Sequence, residues 1–284
     1  MARVTPYRYK RLTMAAIFSS ALKKMWMKIE EKCQRLIRKD CLRIVVYSGT
    51  VGKREAYEEL VKKRKSCRLC CGLSNPSYVS DGKYDSNEIG PWSLWQSNLN
   101  AELLIVGQDW GDISYFQKWE GRDQPAKNPT NENLQDLLAH IDIQIGKPRE
   151  IQGQVIFFTN LILCFKQGGL QSPVKNDWLI NCTREFFRPL IEIINPRVIL
   201  ALGKRVSESI LDRYKIPYSK NKKLYDIMQR SPYELTSSTV LFPLYHCGAG
   251  SINRNRPMIE QKKDWTQVSE WMRRRSEVRM EKMT

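Results

Sequence analysis

The sequence predicts an α/β fold: a three-layer α/β/α sandwich around a four-stranded, mostly parallel sheet, preceded by a basic helical N-terminal extension. Three observations carry that expectation. Short apolar runs alternate with longer amphipathic stretches, the spacing of βαβ units. Two of those runs stop at a glycine, Gly107 and Gly203, where a strand would hand over to a loop. The charge is uneven: residues 1–65 carry 18 Lys and Arg against 6 Asp and Glu, a net of +12 out of +17 for the chain. The domains expected from this are a basic extension, 1–65, and an α/β domain, 66–284.

In chain order, 13–39 has helical periodicity, with Ile17, Leu22, Met25, Ile29 and Leu36 roughly on one side and Lys and Arg between them. Residues 42–47 read as a short strand or buried turn ended by Ser48-Gly49. A second basic helix follows over 55–65. The stretch 73–98, rich in Gly, Ser, Asn and Pro, reads as a long loop. Four strands are then expected, at 101–106 (AELLIV), 155–163 (VIFFTNLIL), 198–202 and 239–244. Helices are expected at 130–141, where Leu134, Leu137, Leu138 and Ile141 share a face, at 175–194 with Pro196 as the stop, at 207–214 and at 258–280.

Composition narrows the class. With 42% hydrophobic residues in 284 there is ample material for a core, which excludes a disordered polyampholyte. No run of 18 apolar residues occurs, so no membrane-spanning helix is expected. The +17 charge and a pI of about 9.6 favour a polyanionic partner, although a basic helix can also be simply a solvated face. Eight cysteines without a secretory signal point to a reducing compartment, where clustered cysteines serve metals or catalysis. The expected location is cytoplasmic and nucleoid-associated, with mitochondrial targeting as the alternative, since no acidic residue precedes Glu30.

Three of the expected strands deliver residues able to do chemistry, and in open α/β sheets ligands bind beyond the carboxyl ends of strands. The first runs into Gly107-Gln108-Asp109-Trp110-Gly111-Asp112. The second contains Asn160. The fourth leads to His246, one of only two histidines, in the Gly-rich stretch through Arg254. Taken singly, Asp109 also suits a turn cap and His246 a satisfied structural histidine. Cys67 and Cys70 form a Cys-x-x-Cys pair, Cys164 follows the Asn160 strand, and Cys182 lies on the next helix. Four thiolates suit a 4Fe–4S cluster or a structural zinc ion. Cys71 could replace Cys70.

In the order and spacing of GQDWGD (107–112), FFTN (157–160) and HCGAGSINR (246–254), the chain resembles the uracil-DNA glycosylase superfamily over roughly 66–271. The four cysteines resemble the ligand pattern of its iron–sulfur branch, which implies Cys67, Cys70, Cys164 and Cys182 as ligands of a 4Fe–4S cluster, with zinc the alternative. The resemblance implies a DNA glycosylase that removes uracil or a related deaminated base in base-excision repair, acting on DNA as a monomer. It implies that Asp109 orients a water and His246 donates toward the departing base, as catalytic residues. Asn160 would read the pyrimidine, the Gln108 backbone N–H would assist, and Arg254 would hold phosphate. Trp110, where other members have Pro, belongs to the implied substrate-binding set. A stacking aromatic is expected among Tyr115, Phe116 and Trp119. The last motif departs from the family's His-Pro-Ser, reading His246-Cys247-Gly248, and Gly250 stands where some members insert Leu. The alternative function is therefore a diverged protein that binds DNA or a modified base without excising it.

Overall fold

A computed structural model describes residues 52–91, 95–96, 98–121, 128–145, 155–168 and 172–281. They belong to one compact unit, Gly52–Thr284. The helix and strand expected within 13–47 lie outside the described residues.

The four expected strands form as β2 (Leu103–Gly107), β3 (Ile156–Asn160), β5 (Val198–Leu202) and β7 (Val240–Leu244). All four are parallel, in the order β3-β2-β5-β7. The sheet has a fifth strand that the sequence does not announce, β6 (Tyr233–Glu234), antiparallel on the β7 edge. Two residues are too short to show a period, so nothing marked it in advance. A separate two-stranded ribbon joins β1 (Leu73–Ser74) to β4 (Phe165–Lys166), inside and beyond segments read as loop.

Each strand alternates its side chains between two cores. Leu104, Val106, Phe157, Ile199, Ala201 and Leu241 face one. Leu103, Ile105, Ile156, Phe158, Leu200 and Phe242 face the other. Every one is buried, as expected of parallel strands covered on both sides. The first face is covered by α1 (Lys53–Ser66), by the helical run α4 (Asn176–Cys182), Thr183–Phe187 and α5 (Arg188–Ile194), and by α6 (Lys204–Tyr214). The second is covered by α3 (Pro129–His140) and α9 (Met258–Glu281), with α2 (Ile113–Lys118) and α7 (Leu224–Met228) beside them. This is the three-layer sandwich.

The chain enters the sheet at β2, steps to β3 on one side, then crosses to β5 on the other. Strand order therefore reverses next to β2, the place where such sheets bind ligands. The run from α4 to α5 contains a π-helical turn at Thr183–Phe187 immediately after Cys182. Such turns locally re-aim side chains. Asn195, in the left-handed region at φ 54°, and Pro196 stop the helix, and the Lys53 ammonium closes its last turn by donating to the Ile194 carbonyl at 3.1 Å.

Helix α1 carries the end of the basic stretch, yet it buries Tyr57, Leu60, Val61 and Arg64. Arg64 is fully buried. Its Nη1 donates to both oxygens of Asp85 at 2.7 Å and its Nη2 to the Ser86 and Glu88 carbonyls. The pair is nearly water-free, with side chains 1% and 3% exposed. Removing one partner of such a pair leaves an uncompensated buried charge. Arg64→Met is expected to destabilise the protein by about 3–5 kcal/mol, read as a lowered midpoint in urea unfolding. A midpoint shift equivalent to under about 1 kcal/mol would class the pair with exposed ion pairs.

Candidate active site

The parallel register places Gly107 of β2 opposite Asn160 of β3. The pairing continues past the strand ends: Leu161 N donates to the Gly107 carbonyl at 2.9 Å and Ile162 N to the Gln108 carbonyl at 3.0 Å. The Asn160 carboxamide lies over Gly107, and a methyl group there would collide with its Oδ1. Glycine is required at 107 for this close approach. Asn160 is buried, and among the described residues its carboxamide has no hydrogen-bond partner within the protein.

Asp109 sits two residues beyond Gly107, its side chain 10% exposed. Its Oδ2 accepts from Gln108 Nε2 at 2.9 Å and its Oδ1 from the Gly111 N–H at 3.2 Å. The Lys166 ammonium, 4% exposed, lies 3.3 Å from Oδ1. Asp112 is the cap in this motif: it accepts from Tyr115 N at 2.8 Å and starts α2.

His246 follows β7. Its Nδ1 accepts from the Gly248 N–H at 2.9 Å, which leaves the proton of the neutral ring on Nε2. Burial pushes the imidazole below its ordinary pKa, against the Asp109 charge, which draws it up. A side chain at 248 would press on the ring and on Thr130. Cys247 is fully buried with its Sγ 3.5 Å from the Thr130 carbonyl, while its own carbonyl accepts from Asn133. The loop is thus docked on α3 by hydrogen bonds. Gln261 of α9 supports it from below, donating to the His246 carbonyl at 3.4 Å.

The strand ends bring Gln108, Asp109 and Asn160 together, with His246 close enough to feel Asp109. Arg254 stands apart, exposed at the end of α8 (Ala249–Arg254), its Nε 3.3 Å from the Gly250 carbonyl. Trp110 turns into the core. It meets Phe158 edge-on at 5.8 Å, and a side chain at Gly90 would strike its ring. Among the aromatics, Phe116 is fully buried against Phe165, whereas Tyr115 and Trp119 are partly exposed and tilt together at 6.4 Å. Lys166 carries no sequence signal. In Phe165-Lys166-Gln167-Gly168 it reads as an ordinary loop charge, and only the fold buries it.

The four cysteines converge elsewhere. Cys67, Cys70, Cys164 and Cys182 all line one cavity of about 150 Å³, with Arg64 on its wall. Two devices close the loop around it. Asn75 Nδ2 donates to the Arg64 and Cys67 carbonyls, and the β1–β4 ribbon joins the end of the Cys-x-x-Cys loop to the residues after Cys164. The Cys182 thiol donates to Cys70, holding the Cys70 pKa down at about 6. Burial and the neighbouring Cys67 and Cys70 push Cys164 up to about 12. Cys71 is exposed and does not line the cavity; its carbonyl accepts from the Trp178 indole at 3.0 Å. Among the described residues, no three His, Cys, Asp or Glu side chains are placed to hold a single metal ion. No helix among them is long and apolar enough to cross a membrane.

Comparison with curated proteins returns no match. The family model described as "Uracil DNA glycosylase superfamily" matches residues 94–271, which run from before β2 into α9 and include every residue of the candidate active site. On that match, and with its parallel sheet flanked by helices, the chain belongs to the uracil DNA glycosylase superfamily.

Proposed function

We propose that the protein is a DNA glycosylase that hydrolyses the N-glycosidic bond of uracil, or a related deaminated base, after flipping the nucleotide out of the stack. The observation that carries this reading is the grouping of Asn160, Asp109 and the neutral His246 at the reversal point of the sheet. A base within a duplex cannot be attacked, so it must be extruded into a pocket, at a cost of a few kcal/mol. Asn160 offers a donor and an acceptor on one carboxamide, which suits the uracil edge; cytosine reverses one of those roles. As the glycosidic bond breaks, negative charge gathers on the base and positive charge on the sugar. The Nε2–H of His246 stabilises the first and the Asp109 carboxylate the second. Asp109 also orients the water that adds to the sugar carbon. Arg254, exposed beyond this loop, suits a phosphate contact.

We further propose that Cys67, Cys70, Cys164 and Cys182 hold a 4Fe–4S cluster. Four thiols around a 150 Å³ cavity fit a multi-iron body. A zinc ion, the alternative, would draw its sulfurs to about 2.3 Å from one point. Bound there, the cluster would tie the loop before β1 to the sheet; hydrolysis calls for no electron transfer.

A second reading, binding without excision, is favoured by Cys247-Gly248 in place of Pro-Ser. One assay separates the two. Protein purified without oxygen is expected to release uracil from an oligonucleotide, and Asn160→Ala to slow that release by about a hundredfold or more, since a site built on polar pairing discriminates by it. Salt-sensitive DNA binding with no release of uracil, hypoxanthine or xanthine would instead establish the second reading.

The cluster reading predicts brown protein with iron, broad visible absorption, and loss of both in Cys164→Ala but not in Cys71→Ser. Colourless protein with one zinc contradicts it.

Residues 1–51 hold 12 of the 47 Lys and Arg. If they bind DNA, deleting them weakens the complex and flattens its salt dependence by about 0.9 in the log–log slope for each phosphate no longer neutralised. An unchanged slope would assign that charge to solubility.

A further inference from the structure

A buried lysine stands beside the acid of the candidate active site. Lysine is almost never fully buried unless it is paired. Lys166 is 4% exposed, and its ammonium lies 3.3 Å from Asp109 Oδ1 and 3.3 Å from the Ser172 carbonyl. Its backbone is fixed from two sides: it pairs with Leu73 in the β1–β4 ribbon and bridges to Asp112, three residues past Asp109. The ammonium thus reaches Asp109 from a rigid element.

The two N–H donors and one ammonium around Asp109 are divided unequally. Oδ1 accepts the Gly111 N–H and lies 3.3 Å from the Lys166 ammonium, its ion-pair partner. Among the described residues, Oδ2 accepts only from Gln108 Nε2. We propose that Lys166 is a positioning residue for the hydrolytic step: by engaging Oδ1 it fixes the carboxylate rotation and leaves Oδ2 as the oxygen that orients the attacking water. This rests on the glycosylase reading. The chemistry is hydrolysis: the water oxygen bonds to the sugar carbon, the bond to the base nitrogen breaks with its electron pair leaving on the base, and the water proton is accepted at Oδ2.

The test is a double-mutant cycle on the full-length protein purified without oxygen, read in single turnover on a uracil oligonucleotide. Lys166→Met keeps chain length and removes the charge. It is expected to lower the rate of the chemical step about 10–100-fold, as displacement of a reacting group by about 1 Å does, while the dissociation constant for DNA changes less than about twofold. In an Asp109→Asn background the same change is expected to cost less than about twofold, because Lys166 acts only through that carboxylate. Equal losses in both backgrounds overturn the proposal, as does a wild-type rate in Lys166→Met. Loss of visible absorption together with rate also overturns it, since Lys166 would then act through Cys164.

The same four proteins give an unfolding cycle that needs no activity. The double variant is expected to melt above Lys166→Met, because the uncompensated carboxylate is gone. Additive melting shifts overturn the Lys166–Asp109 coupling by themselves. A wild-type protein that releases no base overturns the glycosylase reading by itself.

Discussion

The parallel pairing of β2 with β3 holds Gly107 opposite Asn160, and the site is arranged around that register. Two backbone hydrogen bonds carry the pairing past the strands, so the loop bearing Gln108 and Asp109 starts from a fixed position. A slip of one residue would turn every β2 side chain to the other face of the sheet. Leu104 and Val106 would exchange cores with Leu103 and Ile105, and Asn160 would meet a residue whose side chain occupies its place. Burial on both faces makes that slip costly. The cores and the site are thus held by the same constraint.

His246 and Asp109 sit in different surroundings. His246 is buried and accepts a backbone N–H on Nδ1, so its neutral form is favoured and its Nε2–H points to the donor role. Asp109 has a buried ammonium 3.3 Å from Oδ1 and accepts N–H bonds from Gln108 and Gly111. Desolvation favours the neutral imidazole, while the Asp109 side chain is fixed in place by its partners.

The cysteine cavity depends on a different buried interaction. Arg64 binds Asp85 and two carbonyls of the following loop, while Asn75 holds the carbonyls of Arg64 and Cys67. These contacts shape the Cys-x-x-Cys loop through side chains outside the candidate ligand set. Through β1 and β4 the loop reaches Lys166, so the cavity and the partner of Asp109 share one short ribbon.

Local pattern determined much of this protein. Apolar runs and helical periodicity marked the four parallel strands and the helices over them, because burial on two faces leaves a near-continuous hydrophobic signature. Gln108, Asp109, Asn160 and His246 were legible because each follows or ends such a run, and the cysteines because their spacing is distinctive. The tertiary structure decided the rest. It put Cys70 rather than Cys71 on the cavity, turned Trp110 into the core, buried Arg64 within a stretch that reads as surface charge, and brought Lys166 to Asp109. The physical reason is common to all four. Strand and helix periods report which face of an element is apolar, whereas the pairing of a buried charge or the aim of a thiol depends on residues distant in sequence that only the packed chain brings within reach.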